Sequence, residues 1–430
     1  MTLNQSTVQS STSRSPWRPA VASLIGSTVE WYDYFIYGMA AAIVIGPLFF
    51  PDFSDTAGTL AAFATFSVGF IARPFGGIVM GHFGDRVGRK AMLITSLVLM
   101  GCATVGIGLL PTYETIGLWA PVLLVICRFL QGFGVGGEWS GAVLVAVEHA
   151  PEERRSFFGS FPQMGVPGGL IVANLVFLLV SSTLDDAAFM SWGWRVPFLS
   201  SAVLILIGLV LRYRIEETPD FETVVENKER SDMPLVTVLR HHWRAVALMA
   251  GSFIAINAVA YMFMSYLLGY MTKQLDLSRN SVLFVTITAS TAWLVAIPIA
   301  AICSDSFGKG PVLRSGSVAL LLSGVALFPL IDTANLGLIT LAMLLVAISM
   351  GIVYGPMAAL FTGLFPPSVR YSGTSLGYQI GSILGGGIAP TVATGLYAAY
   401  GSTHAITLYV GLVSVLSLFC IIKLTSTRQR

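Results

Sequence analysis

Five ionisable side chains stand inside long apolar runs of this 430-residue chain: Glu30, Asp33, Arg73, Arg128 and Glu138. A charge facing hydrocarbon costs on the order of 3 kcal/mol or more, so each of the five needs a partner, water or a ligand. The chemistry open to such a set is proton binding and charge pairing. A carboxyl group changes its proton affinity when an arginine partner leaves it for an apolar wall, or when a second carboxylate comes close. Glu30 and Asp33 are three residues apart, which puts both carboxylates on one helical face, with Tyr34 and Tyr37 continuing it. Arg128, Gln131, Val135 and Glu138 fall within about one quarter of the circumference at 3.6 residues per turn. We rank Asp33 first as proton carrier, Glu30 second and Glu138 third. Arg128 and Arg73 are the candidate counter-ions, and either could instead meet a ligand carboxylate in a bidentate contact. Fixed pairs that only hold helices together are the alternative, most of all for Arg73, which is followed by Pro74-Phe75-Gly76-Gly77.

Neutral ligand contacts are expected from polar residues on helical faces: Tyr37, Trp139, Gln163, Asn257, Tyr261, Tyr354 and Gln379. Asn174, Thr286, Ser290, Trp293 and Tyr378 are further options, although a lone aromatic in such a helix usually packs. The histidines sit near run ends, which argues against a histidine relay. We find no Ser–His–Asp set, metal-ligand cluster or phosphate loop, so an enzyme is not expected, nor a metal or organic cofactor. The four cysteines, Cys102, Cys127, Cys303 and Cys420, read as packing residues without a disulfide.

The elements that must position these groups are membrane helices. The chain is 55% hydrophobic and only 11% charged, where soluble domains carry roughly 25% charged residues. Its net charge of +2 gives no reason to expect a nucleic-acid partner. Twelve apolar runs near 20–46, 58–81, 91–110, 120–147, 157–181, 193–213, 245–271, 281–303, 313–331, 336–360, 372–398 and 404–424 each approach the roughly 20 residues that cross a bilayer. Runs this long and unalternating are helices. The predicted fold is an all-α membrane protein of twelve transmembrane helices in two pseudo-symmetric six-helix bundles. The divisions are a disordered cytoplasmic tail (1–19), a first bundle (20–213), a polar linker (214–244) with a short amphipathic helix, a second bundle (245–424) and a short tail (425–430). The linker reads mainly as a solvated connector. Pro162 and Pro167 are expected to interrupt the fifth span.

Two halves of one chain are marked by a repeat. Gly81-His82-Phe83-Gly84-Asp85-Arg86-Val87-Gly88-Arg89-Lys90 has a weaker copy in Asp305-Ser306-Phe307-Gly308-Lys309, at a constant offset of 220 residues. At an offset of 216, Pro151, Arg154, Ser156, Gln163, Gly165 and Gly169 match Pro367, Arg370, Ser372, Gln379, Gly381 and Gly385. The small-xxx-small spacings Gly165/Gly169 and Gly377/Gly381/Gly385 let backbones approach closely. Of the 24 Lys and Arg, 19 fall on the side of the 81–90 loop, Arg212 counted among them. The positive-inside rule then puts that side, and both termini, in the cytoplasm.

Gly-x-x-x-Asp-Arg-x-Gly-Arg-Lys between the second and third spans resembles the signature loop of the major facilitator superfamily of secondary transporters. Glu30-Trp31-Tyr32-Asp33-Tyr34-Phe35, Arg73-Pro74-Phe75-Gly76-Gly77, Arg128-Phe129-Leu130-Gln131-Gly132, Gly136-Gly137-Glu138-Trp139 and Glu216-Glu217-Thr218-Pro219 are similar to its metabolite–proton symporter branch, over nearly the whole chain. The resemblance implies a multi-pass inner- or plasma-membrane carrier, expected as a monomer, that imports a small organic acid with protons by alternating access. A shikimate-like or other hydroxylated or aromatic carboxylate is the expected substrate. A zwitterion such as betaine or proline, or an uncoupled facilitator, is the alternative. The resemblance also implies a cytoplasmic gate of Gly81, Asp85, Arg86, Gly88, Arg89, Lys90, Glu148 and Asp305. In it Asp85 faces the start of the eleventh span, and the second copy, lacking the arginine after Asp305, forms the weaker latch.

Overall fold

A computed structural model describes residues 15–53, 55–227 and 233–426, and every regular element among them is a helix. Of the predicted tails 1–19 and 425–430, residues 1–14 and 427–430 lie outside the described residues, as do Lys228 and Arg230 of the linker, while 17–19 and 425–426 are helical. The long helices of the first half are α1 (Trp17–Ala40), α2 (Asp55–Arg86), α3 (Arg89–Leu109), α4 (Trp119–Glu148), α5 (Arg155–Thr183) and α6 (Arg195–Tyr213). Two short helices follow in the linker, α7 (Pro219–Glu226) and α8 (Pro234–His241). The second half holds α9 (Trp243–Tyr261), α10 (Arg279–Phe307), α11 (Lys309–Ile331), α12 (Leu336–Thr362), α13 (Arg370–Ser382), α14 (Ala389–Tyr400) and α15 (His404–Ser426). Ten helical stretches among the described residues are long and apolar enough to cross a membrane. The first and second predicted spans fall on α1 and α2.

Local sequence sets the ends. Ser278 accepts from the Ser281 amide at the start of α10, and Asn335 from the Gly337 and Leu338 amides at the start of α12, supplying partners for otherwise orphaned donors. Gly88 and Gly308, one repeat apart, both precede a helix with positive φ (133° and 91°), a region closed to most side chains. The repeat also reaches the helix interiors. A π-turn continues α1 at Ala41–Ile45 and another continues α9 at Met262–Tyr266. The expected interruption of the fifth span is absent: α5 runs through Pro162 and Pro167 without a break. Packed membrane helices tolerate proline where neighbours satisfy the freed carbonyls.

Helices α1–α6 pack mainly on one another, as do α9–α15, and the two sets meet where α2, α4 and α5 lie against α10, α12 and α13. Within each set a helix start is pressed onto a neighbour through the repeated glycines. A Cβ at Gly165 or Gly169 would run into the α1 backbone at Ser27–Tyr32, and one at Gly381 or Gly385 into the α9 backbone at Ala250 and Ile254. These close crossings hold α1 and α9, and the polar groups they carry, against the centre. The end of the molecule that carries 81–90 and 305–309 is called the basic face below.

Candidate functional site

The buried carboxylates part company in the fold. Asp33 turns toward α3 and α6, where its oxygens accept from Thr104 Oγ1 at 2.8 Å and from Ser201 Oγ. Thr104 Oγ1 in turn accepts from Gln131 Nε2 at 2.7 Å, and Gln131 Oε1 accepts from Arg128. A chain of neutral groups therefore links Arg128 to Asp33. Glu30 faces a small cavity lined also by Tyr34, Gly69, Arg73, Arg128, Gln131, Gly132 and Val135. The single face expected for Glu30 and Asp33 is thus divided, because α1 is wedged between α5 and α6 and the two carboxylates leave it toward different neighbours.

Glu138 differs from both. It is 1% exposed and paired with Arg212, a residue the charge pattern assigns to the aqueous side. Ser96 Oγ donates to it at 2.6 Å, and Arg212 also donates to the Leu93 carbonyl. A Cβ at Gly26 would overlap the Arg212 guanidinium, so this glycine is the space the arginine occupies. Arg212 thus joins the five buried ionisable groups of the apolar runs and, rather than Arg128 or Arg73, is the counter-ion of Glu138. Both Glu138 oxygens accept hydrogen bonds in this arrangement, one from Ser96 and two from Arg212. Removing one partner of such a pair costs about 3–5 kcal/mol.

The two arginines assigned as counter-ions lie on aromatic rings. The Arg73 guanidinium stands 4.7 Å from the Phe70 ring centre, 5.1 Å from Tyr34 and 5.9 Å from Trp31. It donates to Tyr261 Oη at 3.0 Å, which bonds the first half to the second. Arg128 lies 3.8 Å from the Tyr37 ring centre. Ring faces attract a cation electrostatically, and both guanidiniums line the cavity with Glu30. Tyr37 Oη is engaged with Thr65 Oγ1, behind that arginine.

A second layer lies nearer the basic face. The Trp139 ring stacks on Tyr378 with centres 4.3 Å apart, and Trp139 Nε1 donates to Gln163 Oε1 at 2.7 Å. Gln163 Nε2 donates to the Tyr354 carbonyl at 3.3 Å, and its repeat mate Gln379 donates in the opposite direction to the Gly136 carbonyl at 2.6 Å. Here both glutamines join the halves. Gln379 Oε1, Trp293 Nε1 and Ser290 Oγ are buried polar atoms with no hydrogen-bond partner, the sort of group a ligand can satisfy. Asn257 Nδ2 donates to the Phe253 carbonyl of its own helix at 3.0 Å, and Tyr354 packs against Trp293. Asn174 likewise bonds its own helix, at Leu170.

On the basic face two carboxylates each accept backbone amides from the other half. Asp85 accepts from the Tyr371 and Ser372 amides at 3.1 and 2.9 Å, where α13 begins, and an anion suits that helix end. Gly81 and Gly84 leave room there for the Ser372 backbone and the Tyr371 ring. Arg89 lies 3.7 Å from Asp85 and 3.6 Å from Glu148, and donates to the Pro367 carbonyl at 2.8 Å. Arg370 pairs with Glu148 at 2.9 Å and also with Asp220 of the linker. Asp305 accepts from the Ser156 and Phe157 amides at 2.9 and 2.8 Å, where α5 begins. Arg86 is exposed and reaches only His82, while Lys90 Nζ donates to the Tyr213 carbonyl.

The linker is more than a solvated connector. The Glu217 carboxylate accepts from the Arg89 and Lys90 amides, capping α3 beside Gly88, and Phe221 lies under the Arg89 guanidinium with 4.8 Å to its ring centre. Thr104, Ser201, Arg212, Glu217 and Asp220 are thus members of these networks that spacing did not single out. The signal available for Glu217 was an acid beside the Pro219 helix start.

The sequence profile of the Major Facilitator Superfamily matches residues 24–390. The chain is 44% identical to the inner membrane metabolite transport protein YhjE of Escherichia coli K12, over 95% of this chain and 94% of that one. It is 38% identical to the shikimate transporter of the same organism, over 91% and 90% of the two chains. It is 36% identical to the glycine betaine/proline/ectoine/pipecolic acid transporter OusA of Dickeya dadantii, over 92% and 81%. Among solved structures, the proton:xylose symporter XylE bound to 6-bromo-6-deoxy-D-glucose superposes with a TM-score of 0.77 at 19% identity, covering 95% of each chain.

Proposed function

The chain belongs to the major facilitator superfamily and is a membrane transporter of metabolites rather than an enzyme; from that premise we propose that it imports a small organic acid together with a proton. The observation that carries this reading is the pair of buried carboxylates beside Arg128 and Arg73: Glu30 shares a cavity with both arginines, and Asp33 is joined to Arg128 through Thr104 and Gln131. A substrate carboxylate entering the cavity meets Arg128, and Arg73 from the other side. Gln131, freed or tightened by that contact, passes the change through Thr104 to Asp33. A proton on Asp33 then compensates the charge that the substrate adds. Gln379 Oε1, Trp293 Nε1 and Ser290 Oγ supply neutral contacts from the second half. The affinity for shikimate-like acids rests on the 38% identical relative and on this hydroxyl- and amide-rich wall.

A second reading, uptake of a zwitterion such as betaine or proline, is favoured by the 36% identical relative and by the ring cluster of Trp31, Tyr34, Phe70 and Tyr261. We place the basic face and both termini in the cytoplasm of an inner-membrane carrier, on the charge bias of the loops. The arrangement is then closed inside, and the carrier acts as a monomer on the proton gradient without a cofactor.

Proteoliposomes with an internal pH dye test the proposal. Acidification on adding shikimate, a hydroxybenzoate, 2-oxoglutarate or citrate, lost in Asp33→Asn, supports organic-acid symport. Acidification only with betaine or proline moves the assignment to the second reading. Substrate entry without a proton signal leaves a facilitator and removes the coupling role of Asp33.

A further inference from the structure

The short helix α8 and the residues just after it carry an apolar strip that no part of the described protein covers. Met233, Val236, Leu239 and Trp243 are 60%, 47%, 53% and 55% exposed. Val236, Leu239 and Arg240 lie on the exposed side of α8, opposite the buried Pro234 and Val238, while Met233 just precedes the helix and Trp243 and Arg244 open α9 after the break at His242. Soluble surfaces rarely gather four large apolar side chains in ten residues beside two arginines. An interfacial membrane helix does so by construction, with its apolar face in the acyl boundary and its cations at the headgroups.

The height of α8 is fixed by the chain. His242 alone separates it from α9, and the membrane-crossing stretch begins at Trp243. A helix joined so closely to the entry point of a span lies at the level of the headgroups, and Trp243 sits where indole rings favour the interface. Arg244 stands 5.5 Å from the Trp243 ring centre, so cation and ring share that level.

We propose that α8 binds anionic phospholipid of the leaflet on the basic face, and that this contact braces the closed state. The second part follows from what lies on its buried side. α8 packs against α2, against α13 and against the Pro367–Val369 turn that opens α13. That turn supplies the Pro367 carbonyl to Arg89, and the next residues supply the two amides to Asp85. The His242 ring meets Phe365 edge-on at 6.2 Å. A helix pinned to the bilayer by lipid thus presses on the segment that must leave Asp85 when the basic face opens. The assignment of the anionic leaflet rests on the reading of the basic face as cytoplasmic.

Hydrogen–deuterium exchange on the full chain in nanodiscs tests this without reference to transport. Discs of phosphatidylcholine alone are compared with discs that also contain phosphatidylglycerol. Residues 233–244 and 370–376 should exchange more slowly with phosphatidylglycerol present. In Arg240→Gln/Arg244→Gln the apparent affinity for phosphatidylglycerol should fall by roughly fivefold per arginine, and the difference between the two discs should vanish. Val236→Ser/Leu239→Ser should speed exchange in 233–244 in both discs. Equal protection in both discs, or a phosphatidylglycerol effect that survives loss of both arginines, overturns the anionic-lipid site. Protection that appears only on dimerisation assigns the strip to a second copy instead. Slowing confined to 233–244, with 370–376 unchanged, overturns the brace.

Discussion

Asp85 and Asp305 stand one repeat apart and make the same contact. Each carboxylate ends a helix of one half and takes two backbone amides where a helix of the other half begins. What surrounds them is different. Asp85 sits among Arg89, Glu148, Arg370 and Asp220, four charges that link both halves and the linker. Asp305 has the Ser156–Ser304 hydroxyl contact and the nearby bond from Lys309 to the Ala359 carbonyl. The physical core of the latch is therefore the carboxylate on a helix start, which survives in the copy without its arginine. The charged network is an addition to one side. The expected weakness of the second latch lies in that missing network and not in the aspartate's own bonds.

The comparison breaks most sharply at Glu148, which holds two arginines. Glu148→Gln leaves Arg89 and Arg370 short of their shared anion, and should lower equilibrium stability in mixed micelles by about 3 kcal/mol. Adding Arg370→Gln should recover part of that loss. A cost below about 1 kcal/mol would mean that the network is not what separates the two latches. Next in size are the aspartates. Asp85→Asn should cost about 2 kcal/mol and Asp305→Asn about 1 kcal/mol, since both lose charge-assisted bonds to backbone amides and the first loses an arginine partner as well. Exchange at 370–376 and at 155–161 reads the two sites separately, and equal losses would erase the distinction. The smallest effect is expected at Glu217. Glu217→Gln removes the anion from the start of α3 and should cost about 0.5–1 kcal/mol, seen as faster exchange at 89–93. An effect as large as that of Asp85→Asn would make the linker a full member of the latch.

The helices were readable because a bilayer demands length and apolarity, and α3–α6 follow those two quantities closely. The latch aspartates were readable because charges are rare in such a chain and the Asp-x-x-Gly-Arg/Lys pattern recurs at a fixed offset. Partner choice was not. Arg212 lies at the edge of an apolar run, where a positive charge ordinarily marks topology, and nothing local says that Gly26 on another helix leaves it a place inside. Thr104 and Ser201 are small hydroxyls, common in membrane helices for bonds to their own backbone, so their role beside Asp33 depends on helix rotation alone. Gln163 and Gln379 were legible as central polar groups. That they span the halves to backbone carbonyls required three-dimensional placement, because a carbonyl has no residue type.

The π-turns in α1 and α9 have a bearing on the history of the chain. Such a turn is one extra residue accommodated in a helix without breaking it. Ala41 and Met262, where the two begin, are 221 residues apart, against 220 for the loop motif. A widened turn carried at nearly matching places by both copies fits descent of the two halves from one six-helix unit, whereas the π-turns at Phe189–Gly193 and Ile383–Gly387 have no mate one repeat away among the described residues and belong to one half each.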